Sequence, residues 1–136
     1  IDAAAATTGA ITLNGVTSGG SLTISMGAGT GSLTLSSGVT TGSFTVDASN
    51  FGGALDIAGI SASGAVVASL GSAGDLSASQ VETTGAVTID GAAATTGSVT
   101  LRSGSADGAV TLSMGTASAK IYTLSITTLQ RTFLID

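Results

Sequence analysis

Apolar and polar residues alternate along this chain in short bursts. In "GSLTLSSG" (31–38), Leu33 and Leu35 point to one side while Ser32, Thr34 and Ser36 point to the other. The same arrangement recurs at Ile11/Leu13, Leu22/Ile24, Phe44/Val46, Leu55/Ile57, Val87/Ile89, Val99/Leu101 and Val110/Leu112. Period-two alternation over about five residues predicts half-buried β-strands. Aliphatic, often β-branched residues on one face and threonine on the other suit a pleated surface. Helix is a poor alternative, because the 3.6-residue period is missing and glycine is too dense.

The bursts are evenly spaced. "IDAAAATTGAITL" at Ile1 returns as "IDGAAATTGSVTL" at Ile89, and "LTISMG" at Leu22 returns as "VTLSMG" at Val110, both 88 residues on. A glycine precedes each strand unit: Gly9, Gly20, Gly31, Gly42, Gly53, Gly64, Gly74, Gly85, Gly97 and Gly108. The steps are 11 residues except for one of 10 and one of 12, which cancel. Register kept over that distance implies units that stack on one another, since a lasting slip would misplace every later unit. The glycines are expected to supply backbone conformations that other residues resist.

The expected fold is all-β, a parallel β-solenoid of β-helix or β-roll type built from 11-residue strand-turn units. Two units per coil is the favoured arrangement. With 22 residues per coil, large aliphatic side chains face one another across a core about 10 Å thick. One unit per coil would oppose them with glycine, alanine and serine. An antiparallel meander of the same units is the third arrangement the pattern leaves open.

Residues 1–118 read as the repeat array. The stretch "AKIYTLSITTLQRTFLID" (119–136) lacks glycine and holds Lys120, Arg131, Tyr122 and Phe133. It reads as a cap or a junction strand segment, since terminal units of repeat proteins must close an open edge. A strand donated to a neighbouring molecule is its second reading. Ile1–Asp2 match Ile89–Asp90, which predicts that the chain starts inside a repeat.

Composition narrows the classes. Glycine occurs 21 times, apolar residues make up 43%, charged residues 8%, and proline, cysteine, histidine and tryptophan are absent. Disordered chains combine low hydrophobicity with high charge, the reverse of this. The net charge is −5 and only Arg102, Arg131 and Lys120 are basic. Three cations make no basic stripe, which excludes nucleic acid as a partner. Without cysteine there are no disulfides and no thiolate metal sites. Residues 3–46 carry no charge, yet glycine, serine and threonine interrupt every apolar pair, so no membrane-spanning helix is expected. A membrane barrel would want aromatic girdles that one tyrosine and three phenylalanines do not supply.

Candidate chemistry is thin. The outward mid-strand positions form a possible surface ladder of Thr12, Thr23, Thr34, Thr45, Thr88, Thr100 and Thr111, broken by Asp56, Val67 and Ser77. Such ranks resemble those of ice-binding solenoids in outline, without their paired T-x-T motif. Asp47, Asp56, Asp75, Asp90 and Asp107 invite a calcium reading, because hard cations gather several oxygens. However, "GGALDI" (52–57) departs from the calcium nonapeptide pattern, and the acids keep no fixed repeat position. Solubility of an otherwise uncharged surface is the plainer role for them. No other cofactor is expected. No enzyme is expected either: there is no histidine for a Ser-His base, Ser36 and Ser103 have no evident activating partner, and no phosphate-binding G-x-x-x-x-G-K-[ST] occurs.

The "G-[SA]-apolar-T-apolar" units from Ala3 to Ser118 resemble the β-strand-repeat segments of bacterial surface proteins, namely surface-layer proteins, large adhesins and secreted passenger domains. That resemblance implies an extracellular or cell-surface location. It also implies a structural role as scaffold, spacer or self-assembling lattice or filament element, with copies of the chain as partners. A ligand-binding solenoid for ice or glycan, and a viral fibre segment, are the alternatives.

Overall fold

The structure, a computed structural model, describes residues 1–5, 8–36, 39–72, 75–115, 122–129 and 133–135. Among them there is no helix; all regular structure is strand. Two seven-stranded parallel sheets enclose the core. The first contains, in spatial order, β1 (Asp2–Ala3), β3 (Leu22–Met26), β6 (Phe44–Ala48), β8 (Val66–Leu70), β10 (Val87–Gly91), β12 (Val110–Met114) and β14 (Phe133–Ile135). The second runs β13 (Tyr122–Leu129), β11 (Val99–Ala106), β9 (Asp75–Thr83), β7 (Ala54–Ala62), β4 (Ser32–Ser36) and β2 (Ala10–Asn14), with β5 (Val39–Thr41) also on β7.

The chain visits the two sheets alternately, so each coil spends one 11-residue unit on each. Leu33 lies opposite Ile11 and Leu55 opposite Leu33, a step of 22 residues. The step is 21 from Leu55 to Leu76 and 23 from Leu76 to Val99. The fold is therefore a parallel β-solenoid with two units per coil. The meander and the one-unit coil are both set aside.

The core follows from the alternation. Leu33, Leu35, Phe44, Val46, Leu55, Ile57, Val87, Ile89, Val99, Val110 and Leu112 are buried, and Leu101 is packed partly buried against them. Ile11 and Leu13, in the first full coil, are only half-buried. Each inward residue packs above and below on its counterpart one coil away, which makes continuous aliphatic columns. Burying one such side chain contributes about 1.5–3 kcal/mol.

The coil also has a short third side that the 11-residue pattern does not announce. The back parts of β7, β9 and β11, together with β5, form it, pairing Val39 with Ile60 and Ile60 with Val81. A single left-handed residue turns the chain onto this side: Gly15 (φ 60), Gly59 (φ 70), Gln80 (φ 53) and Ser103 (φ 50). The third side is buried as well. Its inward positions alternate Thr41, Ala62, Thr83 and Ala106 from coil to coil. The two threonines are satisfied: Thr41 Oγ1 donates to the Gly20 carbonyl (2.7 Å), and Thr83 Oγ1 donates to the Gly64 carbonyl while accepting from Gly85 N (3.0 Å).

The repeat glycines mostly serve close approach rather than unusual φ. A Cβ at Gly31 would run into the Gly9 carbonyl, and at Gly53 into that of Gly31. At Gly64, Gly85 and Gly108 it would meet the glycine backbone one coil back. Of the described repeat glycines only Gly9 and Gly97 have positive φ.

Of residues 119–136, read above as a cap or junction, β13 and β14 continue both ladders in register with β11 and β12. The remainder of that stretch lies outside the described residues. Among these is Ala119, where the pattern places the start of a further unit.

One packing defect stands out. Ala68 and Ala78 sit in columns otherwise filled by Val46, Ile89, Ile57 and Leu101, and a cavity of about 40 Å³ lies beside them. At about 24 cal/mol per Å³ this void costs about 1 kcal/mol. We expect Ala78→Val to raise the free energy of urea unfolding by up to that amount. By contrast, Thr83→Val, which leaves Gly85 N without its acceptor, should lower it by about 1–3 kcal/mol, with Thr83→Ser closer to wild type.

Candidate functional site

The candidate surfaces are the outer faces and the turns that join them. The threonine ladder does not form one rank. Thr23, Thr45, Thr88 and Thr111 lie on the first sheet, with Val67 between Thr45 and Thr88. Thr12, Thr34 and Thr100 lie on the second sheet, across the core, with Asp56 and Ser77 filling the two coils between. All seven threonines are half-exposed or exposed. The reason is the two-unit coil, which sends alternate units to opposite faces.

The next outward column of the first sheet is more ordered. Going up the stack it reads Asp2, Ser25, Asp47, Ser69, Asp90, Ser113, acid and hydroxyl in strict alternation. Each aspartate closes a tight turn onto its own backbone: Asp2 Oδ1 accepts from Ala4 N (2.9 Å), Asp47 Oδ1 from Ser49 N (3.2 Å) and Asp90 Oδ1 from Ala92 N (3.0 Å). Asp47 Oδ1 also accepts from Ser49 Oγ (2.7 Å). Phe51 N donates to the Ala48 carbonyl (2.9 Å), and Ala94 N donates to that of Gly91 (2.8 Å). These bonds tuck Phe51 and Ala94 inward, where both are buried.

The serine coils turn differently. Each carries a glycine, buried Gly27, buried Gly71 or half-buried Gly115, pressed against the aspartate turn of the preceding coil. A Cβ at Gly27 would strike the Ala4 carbonyl. At Gly71 it would strike Phe51 and at Gly115 the Ala92 carbonyl. Two coils thus form one unit, an aspartate turn seated on a glycine turn. The third side alternates in the same phase, since Thr41 and Thr83 belong to the coils of Asp47 and Asp90.

Electrostatics gives a reason for the alternation. Aspartates in successive layers would stand about 4.8 Å apart. Their repulsion at that range is about 1 kcal/mol even in bulk water and several-fold more near a protein surface. A serine between them doubles the distance. The same spacing bears on calcium, whose coordinating oxygens must lie within about 5 Å of one another. Asp47 and Asp90, two layers apart, line a notch of about 480 Å³ floored by Ser69. Asp75 instead accepts from Ser98 N (2.7 Å) and Ser98 Oγ (2.9 Å) in the next coil, Asp56 lies on the second sheet, and Asp107 N donates to the Thr83 carbonyl. Among the described residues no three acidic side chains converge to hold a metal ion. No helix among them is long and apolar enough to cross a membrane.

Neither the alternating turns nor their glycines were singled out from the sequence. The signal was present in the 88-residue echo, which spans four coils and therefore two aspartate–serine pairs. No protein-family model, curated protein or solved structure matches this chain.

The seating of one turn on another makes Gly71 intolerant of any side chain. We expect Gly71→Ala to destabilise the protein by about 1–3 kcal/mol in urea titrations, the usual cost of overpacking. Gly19→Ala, where nothing lies within 4 Å, should change it by less than about 0.5 kcal/mol.

Proposed function

We propose that this chain is an extracellular structural module, a scaffold or spacer of a cell surface that associates with copies of itself. The observation that carries this reading is the uninterrupted pair of parallel ladders with an aliphatic interior. Each coil adds about 4.8 Å of length, and a stack of this kind is extended simply by adding coils. The outer faces present threonine, serine and alanine with few charges, a surface suited to close packing and poorly suited to catalysis. Likeness of the "G-[SA]-apolar-T-apolar" units to bacterial surface repeats points the same way and supports location outside the cell.

Ice or glycan binding is the competing reading. The Thr23–Thr45–Thr88–Thr111 rank favours it, and Val67 in the middle of that rank counts against it. Electron microscopy of the purified chain over a range of concentrations tests the proposal. Rods, filaments or two-dimensional sheets are expected. Monodisperse single particles at every concentration would overturn self-association, and thermal hysteresis in the same preparation would transfer the assignment to ice binding.

A further inference from the structure

The packing defect beside Ala68 and Ala78 is made by all three sides of the coil together. On the first sheet Ala68 stands between Val46 and Ile89. On the second, Ala78 stands between Ile57 and Leu101. On the third side Gly104 follows Ile60 and Val81, and a Cβ there would run into the Val81 carbonyl. The three gaps meet in one cavity of about 40 Å³. Along the stack, Phe44 and Ile57 line it from one direction, Val110 and Leu101 from the other. It does not collapse, because the ladders of the coils before and after hold the sheets at their spacing.

The lining decides what can occupy this space. The volume exceeds the roughly 10–15 Å³ that a water needs, but a buried water also needs two to four polar partners. The walls are aliphatic and aromatic apart from Arg102 and Ser105 at the rim. Among the described residues no buried side-chain nitrogen or oxygen is left without a hydrogen-bond partner. Water therefore gains nothing here, and the cavity stays dry. An apolar guest gains dispersion contacts with walls that now face a void. An engineered apolar cavity of about 150 Å³ takes benzene or xenon; the smaller volume here suits the smaller guest.

The wall is thinnest at β11. Its register on β13 slips between Arg102 and Ser105, Ser103 is left-handed (φ 50), and Leu101, Gly104 and Ser105 are partly exposed. A small guest can pass there without parting the two main sheets.

We infer that this cavity is a binding site for a single small apolar guest, the class of xenon and of diatomic gases such as dioxygen. The site is independent of any association between copies of the chain, since every wall comes from one stack.

Methyl-resolved NMR spectra of the full chain under xenon, referenced to helium at equal pressure, test the inference. Xenon should shift the methyls of Ala68, Ala78, Val81 and Leu101 in a saturable way. Ile24 and Leu33, buried in the same core outside the cavity, should not move. The urea midpoint should rise under xenon, because a guest held only by the folded chain stabilises it. Ala78→Val and Ala68→Val each place methyl groups in the cavity and should abolish both effects, whereas Gly19→Ala should keep them. The wild-type methyl map decides alone if a valine variant misfolds. Shifts that fail to saturate, shifts spread over the whole core, or an undiminished response in the folded valine variants would overturn the assignment.

Discussion

In-register parallel stacking is the constraint on which everything else in this protein depends. Each residue has as its nearest neighbours the residues that occupy the same place one coil before and after. Whatever chemistry a position carries is therefore multiplied along a column. Aliphatic residues gain from this arrangement: Leu33 on Leu55 on Leu76 is a continuous apolar column, and each layer buries the one before it. Backbone also stacks on backbone, and at the corners the approach is so close that only glycine fits. That is why Gly31 follows Gly9, and Gly108 follows Gly85.

Charge is the kind of residue that a column tolerates least. The aspartates are useful at the corner because their carboxylates hold the turn that follows. Repeated in every coil, they would repel one another across a single strand spacing. The solution is a two-coil unit, in which a serine coil with a glycine turn separates aspartate coils whose turns are held by the carboxylate. Once the turns differ, the third side follows in phase. A buried threonine in the aspartate coil bonds to corner carbonyls, and an alanine occupies its place in the other. The packing defect is separate from the alternation: Ala68 and Ala78, in columns otherwise filled by larger side chains whatever the coil type, leave the interior underfilled.

Much of this was readable in the sequence. The strands and their inward residues follow from alternation and glycine spacing, and the need to fill a core from both sides favoured the parallel 22-residue coil over the one-unit coil and the meander that the pattern left open. The short third side was not readable, because its signal is a single left-handed residue at each of four corners, at Gly15, Gly59, Gln80 and Ser103. At Gln80 and Ser103 that residue is not even glycine, the stacked corner having imposed a conformation the residue type does not favour. The role of most repeat glycines was misjudged for a related reason. Sequence shows a glycine but cannot tell whether φ or a neighbour's carbonyl requires it. The single threonine ladder separated into two because alternate units face opposite ways, a direct consequence of the coil length that the same reading favoured.

The phase of the two-coil unit also supplies something the faces lack. Threonine, serine and alanine repeated over a flat surface distinguish poorly between one alignment and the next. The turn column does distinguish. A stack offset by one coil would set Asp47 beside another aspartate and put one aspartate turn against another, where Gly71 now gives room for the backbone of Phe51. Both penalties are local and recur at every mismatched layer. An even offset meets neither. Register information in this protein is therefore held in the turns, and the nearly featureless faces can remain neutral without leaving the stack ambiguous.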